Sequence, residues 1–204
     1  MARTPSTMML DLGSPAPAFN LADYGVASAG RLVGTPAVSK GRPLLVMFIC
    51  NHCPFVKHVR AELAKLGQDF GGGPGSGRVA IVAINPNDVE HYPDDRPELM
   101  TAEAKEAGYT FPYLFDATQE VAKAYRAACT PDFFLFDKGQ RLAYRGQLDD
   151  SRPNSGIPVT GKDLRAAIDA VLNGNPIGAE QRPSLGCNIK WKPGNEPEYY
   201  LSPT

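Results

Sequence analysis

LLVMFICNHCP, residues 44–54, decides how this chain folds. Leu44 to Ile49 is a continuous apolar run, as expected of a central strand covered on both faces. Pro54 breaks the strand and suits the first position of a helix, where a missing N–H costs nothing. Phe55, Val56, Val59, Leu63, Leu66 and Phe70 then recur at steps of three and four, which predicts a helix ending at Gly71-Gly72-Gly73. Lys57, His58, Arg60, Glu62, Lys65 and Asp69 fall on its polar side. Cys53 therefore stands where a buried strand gives way to a helix.

That position has chemical meaning. A cysteine just before a helix sees unpaired backbone N–H groups and the positive end of the helix dipole, which favour the thiolate. The thiolate is the form that attacks disulfides or peroxides. Cys50 sits earlier, outside the helix field.

Working outward, Arg78 to Ile84 reads as a second buried strand, and Asn85-Pro86-Asn87-Asp88 as a turn at its end. GGGPGSG at 71–77 lacks the Lys-Ser/Thr ending of a phosphate loop and precedes a strand, so it reads as a surface linker. Pro97 to Gly108 looks helical, with Asp95 as a cap. Gln119 to Ala127 is a short helix that brings Cys129 to its end. Phe133 to Phe136 is a strand, and a turn at 137–140 leads to another at Leu142 to Arg145. Thr160 to Asp163 has capping-box spacing and opens a helix carrying Leu164, Ile168, Val171 and Leu172, closed by Asn173-Gly174. Residues 1–40 suit an N-terminal β-hairpin. After residue 175, prolines at 176, 183, 193, 197 and 203 exclude regular structure, although Trp191 and the tyrosines can pack the tail on the domain. The order gives an α/β architecture: a mixed sheet flanked by helices in one domain, 1–175, with an extended tail, 176–204.

Composition narrows the classes of function. Apolar residues make up 43% and charged residues 21%, as in an ordinary globule. The net charge is -1 and no basic block suggests nucleic acid. The longest apolar run is far too short to span a bilayer, and no stretch of signal-peptide length opens the chain, so a cytoplasmic location without membrane contact is expected. In a reducing cytosol the four cysteines point to catalysis, metal binding or inert thiols rather than staples.

VMFICNHCP (46–54) and ACTPDFFLFD (128–137) resemble the thioredoxin-like superfamily, and more narrowly its peroxiredoxin-like branch of the alkyl hydroperoxide reductase/thiol-specific antioxidant, redoxin type. The resemblance covers roughly residues 10–175, and the tail segment GCNIKWK (186–192) is similar to that branch too. It implies a thioredoxin-like fold. In some thioredoxin-like proteins a strand Phe precedes the attacking Cys by five positions; Phe48 plus five is Cys53. In the alternative register, Cys50 attacks and Cys53 resolves. Thr130-Pro131 resembles the cis-proline motif that lies against the attacking cysteine, whose preceding backbone binds a polypeptide substrate. Thr130, Pro131, His52 and Asn51 are accordingly the candidate substrate-binding residues.

Peroxiredoxins carry a Pro seven and a Thr three residues before the reactive Cys; here those places hold Val46 and Cys50. Their Arg before a later strand is matched by Pro131, with Arg126 and Arg145 as conceivable replacements.

The reading that follows is a thiol-disulfide oxidoreductase, with Cys53 attacking and Cys50 resolving it through a disulfide across the strand-helix junction. Thiol peroxidase activity is the alternative. A Cu or Zn carrier using Cys50, His52, Cys53 and His58 is a third reading. Cys129 is either an additional redox thiol or an inert buried one, and Cys187 either folds back or is a bystander. Expected partners are a protein or small-molecule disulfide, or a hydroperoxide, and a thiol reductant such as thioredoxin. No cofactor and no metal are required, and homodimer formation stays open.

Overall fold

Six consecutive apolar side chains leave a strand no face to turn to water. The chain answers by burying both faces, as a computed structural model describing residues 3–26, 30–72 and 77–200 shows. In chain order, β1 (Thr4–Pro5) precedes the hairpin of β2 (Asn20–Asp23) and β3 (Leu32–Gly34). The one-turn helix α1 (Thr35–Ser39) leads into β4 (Leu44–Phe48), every residue of which is 0% exposed. Then follow α2 (Pro54–Leu66), β5 (Ala80–Asn85), α3 (Pro97–Ala107) and β6 (Tyr113–Phe115). The rest is α4 (Glu120–Ala124), β7 (Cys129–Thr130), β8 (Asp132–Phe136), β9 (Leu142–Gly146), α5 (Lys162–Asn173) and β10 (Leu185–Asn188).

Seven strands form one mixed sheet in the order β3-β2-β6-β5-β4-β8-β9. The β4–β5 and β5–β6 pairs are parallel; the remaining pairs are antiparallel. Alternation along β4 splits its side chains between two cores. Leu45 and Met47 join α2 and α5 through Val59, Leu63 and Ile168. Leu44, Val46 and Phe48 join Tyr125, Phe134 and Trp191 on the other face. Each such side chain contributes about 1.5–3 kcal/mol by leaving water.

Helix α2 runs into a single π turn at Gly67–Gly71, so the expected stop near the glycines holds. The linker expected at 71–77 falls mainly on 73–76, outside the described residues. No helix among the described residues is long and apolar enough to cross a membrane.

Four local expectations are corrected. The helix foreseen at 119–127 is only Glu120–Ala124, because the chain must straighten to deliver Cys129 to β7. Thr160 does not cap α5: Gly161 is the N-cap, and the Thr160 and Gly161 amides donate to Asp149 instead. Strand β6 was not foreseen; its three residues lie between a proline and Asp116, too short for an alternation to show. The tail is not irregular throughout. Strand β10 pairs antiparallel with β7 and with β1 in a second, three-stranded sheet, placing Cys187 opposite Thr130. Local proline content did not prevent it, since 184–192 is free of proline.

Candidate active site

Cys53 is the N-cap of α2, with extended backbone (φ -67, ψ 122) and Pro54 at the first helical position. Its carbonyl accepts the Lys57 amide at 2.9 Å and starts the helical ladder. The loop between β4 and α2 is fixed by a carboxylate. Asp95, 0% exposed, accepts the Asn51 amide at 2.8 Å and the His52 amide at 3.1 Å on one oxygen. Its other oxygen takes His52 Nδ1 at 2.5 Å and Asn87 Nδ2 at 2.7 Å. Asp95 is thus not a cap of α3, whose N-cap is Arg96, but the anchor of the cysteine loop.

The Cys53 sulfur is closed off from solvent, and its pKa is lowered. The largest cause is a hydrogen bond from the Cys187 thiol, followed by one from the Cys50 thiol; burial opposes them. The sulfur makes no side-chain capping hydrogen bond, but the Val56 N–H still favours its anion. One contact points the other way: Cys53 Sγ lies 3.1 Å from the Thr130 carbonyl oxygen, to which a protonated thiol would donate. Ionisation gives up that bond and keeps the Cys187 and Cys50 thiols, the Val56 N–H and the Thr130 side chain, all of which favour the anion.

The neighbouring thiols behave oppositely. Burial, then the bond to Cys53, then the charges of Asp95 and Cys53 push the Cys50 thiol well up; its sulfur is 3.3 Å from Thr130 Oγ1. Cys187 is raised as well, first through its bond to Cys53 and then by burial. Cys129 is raised by burial and donates to the Pro131 carbonyl oxygen at 3.6 Å. It lies on β7 rather than at a helix end.

His52 is raised by its hydrogen bond to Asp95, against partial burial. Its ring stacks on Tyr92 (centroids 5.7 Å, 12° apart), and Lys190 Nζ sits 5.5 Å from the same Tyr92 ring. The Thr130–Pro131 bond is cis, and the Thr130 carbonyl lies against Cys53.

A model of the AhpC/TSA family matches residues 12–145, a span holding both the cysteine loop and the cis-proline. The chain belongs to the AhpC/TSA family. It is therefore a thiol-based redox protein of the thioredoxin-like, peroxiredoxin-like type. Among solved structures, an uncharacterized conserved protein from Geobacillus kaustophilus is 54% identical, with TM-score 0.87 over 95% of this chain and 98% of that one. A hypothetical protein from Sinorhizobium meliloti 1021 is 49% identical, with TM-score 0.85 over 95% and 100%. The thioredoxin domain of a thiol-disulfide oxidoreductase from Bacteroides vulgatus shares the fold at 20% identity, with TM-score 0.58 over 80% and 99%. No curated protein matches.

Within this AhpC/TSA chain, Cys53, Cys50, Thr130 and Pro131 come together as the sequence suggested. Asn51 is placed differently from a substrate contact. Its side chain is buried, taking the Tyr113 hydroxyl at 3.0 Å and donating to the Asp94 carbonyl at 3.0 Å. His58 is half-exposed, with Nε2 buried, and lines a small cavity with Phe133 and Asp149. Arg126 lies over the Tyr199 ring and Arg145 donates to the Leu10 carbonyl, so both are committed elsewhere. Cys50, His52 and Asp95 offer donor atoms within 4.8 Å of one another. Yet all four lone-pair sites of Asp95 already accept hydrogen bonds, which leaves it poor as a metal ligand.

Sequence reasoning missed Tyr92 and Tyr113, which have no periodic or motif signal, and read Asp95 only as a helix cap. Only GCNIKWK gave any warning that residues 187 and 190 reach the site.

Proposed function

We propose that the chain is a thiol-disulfide oxidoreductase in which Cys53 attacks as a thiolate and Cys50 is a resolving thiol. One observation carries this reading: Cys53 is the N-cap of α2, where the helix N–H groups favour its anion, while burial pushes the neighbouring Cys50 thiol up. The same asymmetry favours Cys53 over Cys50 as the attacker, because a nucleophile must be ionised.

The thiolate attacks one sulfur of a substrate disulfide. A mixed disulfide with Cys53 forms, and the leaving thiolate takes a proton. A second thiol then attacks Cys53 and releases the substrate. A thioredoxin-like reductant would restore the dithiol. His52, held toward its cationic form by Asp95, supports the anion electrostatically.

Hydroperoxide reduction is a second reading, favoured by membership of the AhpC/TSA family. The groups that act most on the Cys53 sulfur are Cys187, Cys50, Val56 and Thr130, and none is a guanidinium that would polarise a peroxide. Disulfide exchange therefore fits the site better.

Turnover of a small disulfide reporter by wild type, Cys53→Ser and Cys50→Ser tests the assignment. Cys53→Ser should be inactive. Cys50→Ser should keep the first release of thiol and lose steady-state rate. Full activity of Cys53→Ser beside a dead Cys50→Ser would reverse the register. Faster oxidation of Cys53 by hydroperoxide than by disulfide would favour the second reading.

A further inference from the structure

We infer that Cys187, carried by the tail strand β10, is a third redox thiol that forms a disulfide with Cys53, the tail lying where an extended substrate chain would pair. The inference rests on Cys53 being the nucleophile and adds to it a resident disulfide partner.

Strand β7 is only two residues long, Cys129–Thr130. A two-residue strand exposes backbone N–H and C=O groups to which an extended segment can add. Here β10 has added, antiparallel, with Cys187 opposite Thr130 and Asn188 opposite Cys129. Opposite residues in such a pair have Cα atoms about 4.5–5.5 Å apart. The Thr130 carbonyl oxygen is itself 3.1 Å from Cys53 Sγ. Pairing with Thr130 thus brings a cysteine of the added strand opposite the residue whose carbonyl touches the Cys53 sulfur.

The approach depends on glycine. A Cβ on Gly186 would lie 2.1 Å from the Thr130 carbonyl oxygen, so no other residue allows β10 to sit this close. The strand is also fastened on both sides of Cys187. Upstream, Ser184 Oγ donates to the Gly146 carbonyl at 2.7 Å. Downstream, the Ile189 amide donates to the Ala128 carbonyl at 3.0 Å and the Lys190 amide to Asn87 Oδ1 at 2.9 Å. Trp191 is buried in the core beyond. A bystander cysteine would need none of this.

With a small disulfide RSSR the steps balance. The Cys53 thiolate attacks RSSR, forming Cys53–S–SR and releasing RS⁻. That RS⁻ takes the proton of the Cys187 thiol and leaves as RSH. The Cys187 thiolate attacks the Cys53 sulfur, forms the Cys53–Cys187 bond and expels the second RS⁻. Cys50 can later exchange onto Cys53 and return Cys187 to the thiol.

The test uses the full-length Cys50→Ser chain, which removes the competing thiol. Reduced protein is treated with one equivalent of oxidised glutathione, quenched in acid, alkylated and mapped by mass spectrometry. The inference expects a Cys53–Cys187 crosslinked peptide in most molecules and release of two glutathione thiols per chain. Adding Gly186→Val should suppress the crosslink at least about tenfold, the scale of a 1.4 kcal/mol loss. Stable glutathione on Cys53 with Cys187 alkylated would overturn the inference and leave the Cys53 assignment standing. An unoxidised, fully alkylated Cys53 would overturn both. Should the Gly186 variant fail to fold, the Cys50→Ser map decides alone.

Discussion

His52 Nδ1 stands 2.5 Å from Asp95 Oδ2, a pair formed between the cysteine loop and the turn that precedes the Arg96 cap of α3. The carboxylate is buried and the imidazole half-buried, so the pair holds charge where water is scarce. It is raised in pKa by that bond, and the charge of the Cys53 anion acts in the same direction. Both carboxylate and thiolate therefore favour the charged imidazolium.

Asp95→Asn should lower the His52 pKa toward its ordinary value, read by NMR titration of the ring. The pair stabilises the fold fully below the unfolded pKa of about 6.5 and loses that contribution as pH rises through the folded value. The variant should be less stable by about 1–3 kcal/mol at acid pH, because buried amides lose a charged acceptor. A His52 titration unchanged by the substitution would contradict the pairing.

Asp132 at the start of β8 is wholly buried, and burial pushes it up to about 7 despite hydrogen bonds from Ser6 and the Phe133 amide. The folded chain thus prefers it protonated. Its contribution is complete below the ordinary carboxyl range and falls as pH rises toward 7, by at most about 1.4 kcal/mol per pH unit. Asp132→Asn should flatten that dependence and stabilise the protein at pH 8. Denaturant midpoints across the range would show it; parallel curves for both proteins would refute it.

Leu63 on α2 is fully buried in the core shared with Met47 and Ile168. Leu63→Ala should cost about 2–5 kcal/mol through lost burial and the cavity left behind. Urea unfolding with an unchanged slope is the expected signature, and a cost below 1 kcal/mol would mean the helix is not seated there.

Tyr113→Phe removes the hydroxyl that donates to Asn51 Oδ1. A loss of about 1 kcal/mol is expected, with faster hydrogen exchange at the Asn51 and His52 amides. Exchange equal to wild type would show that the loop is held by Asp95 alone.

The parts of this design that were legible in sequence are those set by neighbours along the chain. Leu44 to Phe48 had to be a doubly covered strand because it offers no polar face, and Cys53 had to cap α2 because Pro54 follows it. The parts that were not legible depend on distant partners. Asp95 reads as a helix cap from its local setting, yet its acceptor sites serve residues 51, 52 and 87. Cys187 has no local pattern that announces pairing with Thr130, and only backbone pairing across 57 positions reveals its place. Asn51 reads as a substrate contact from its place in the motif, yet Tyr113, 62 residues on, bonds its side chain in the interior.

Titration of the Cys53 thiolate by its ultraviolet absorbance, taken as wild type minus Cys53→Ser in fully reduced protein, tests the central claim most directly. The account predicts an anion already present at neutral pH, with a midpoint well below the ordinary thiol value of about 8.5. A midpoint at or above that value would contradict it.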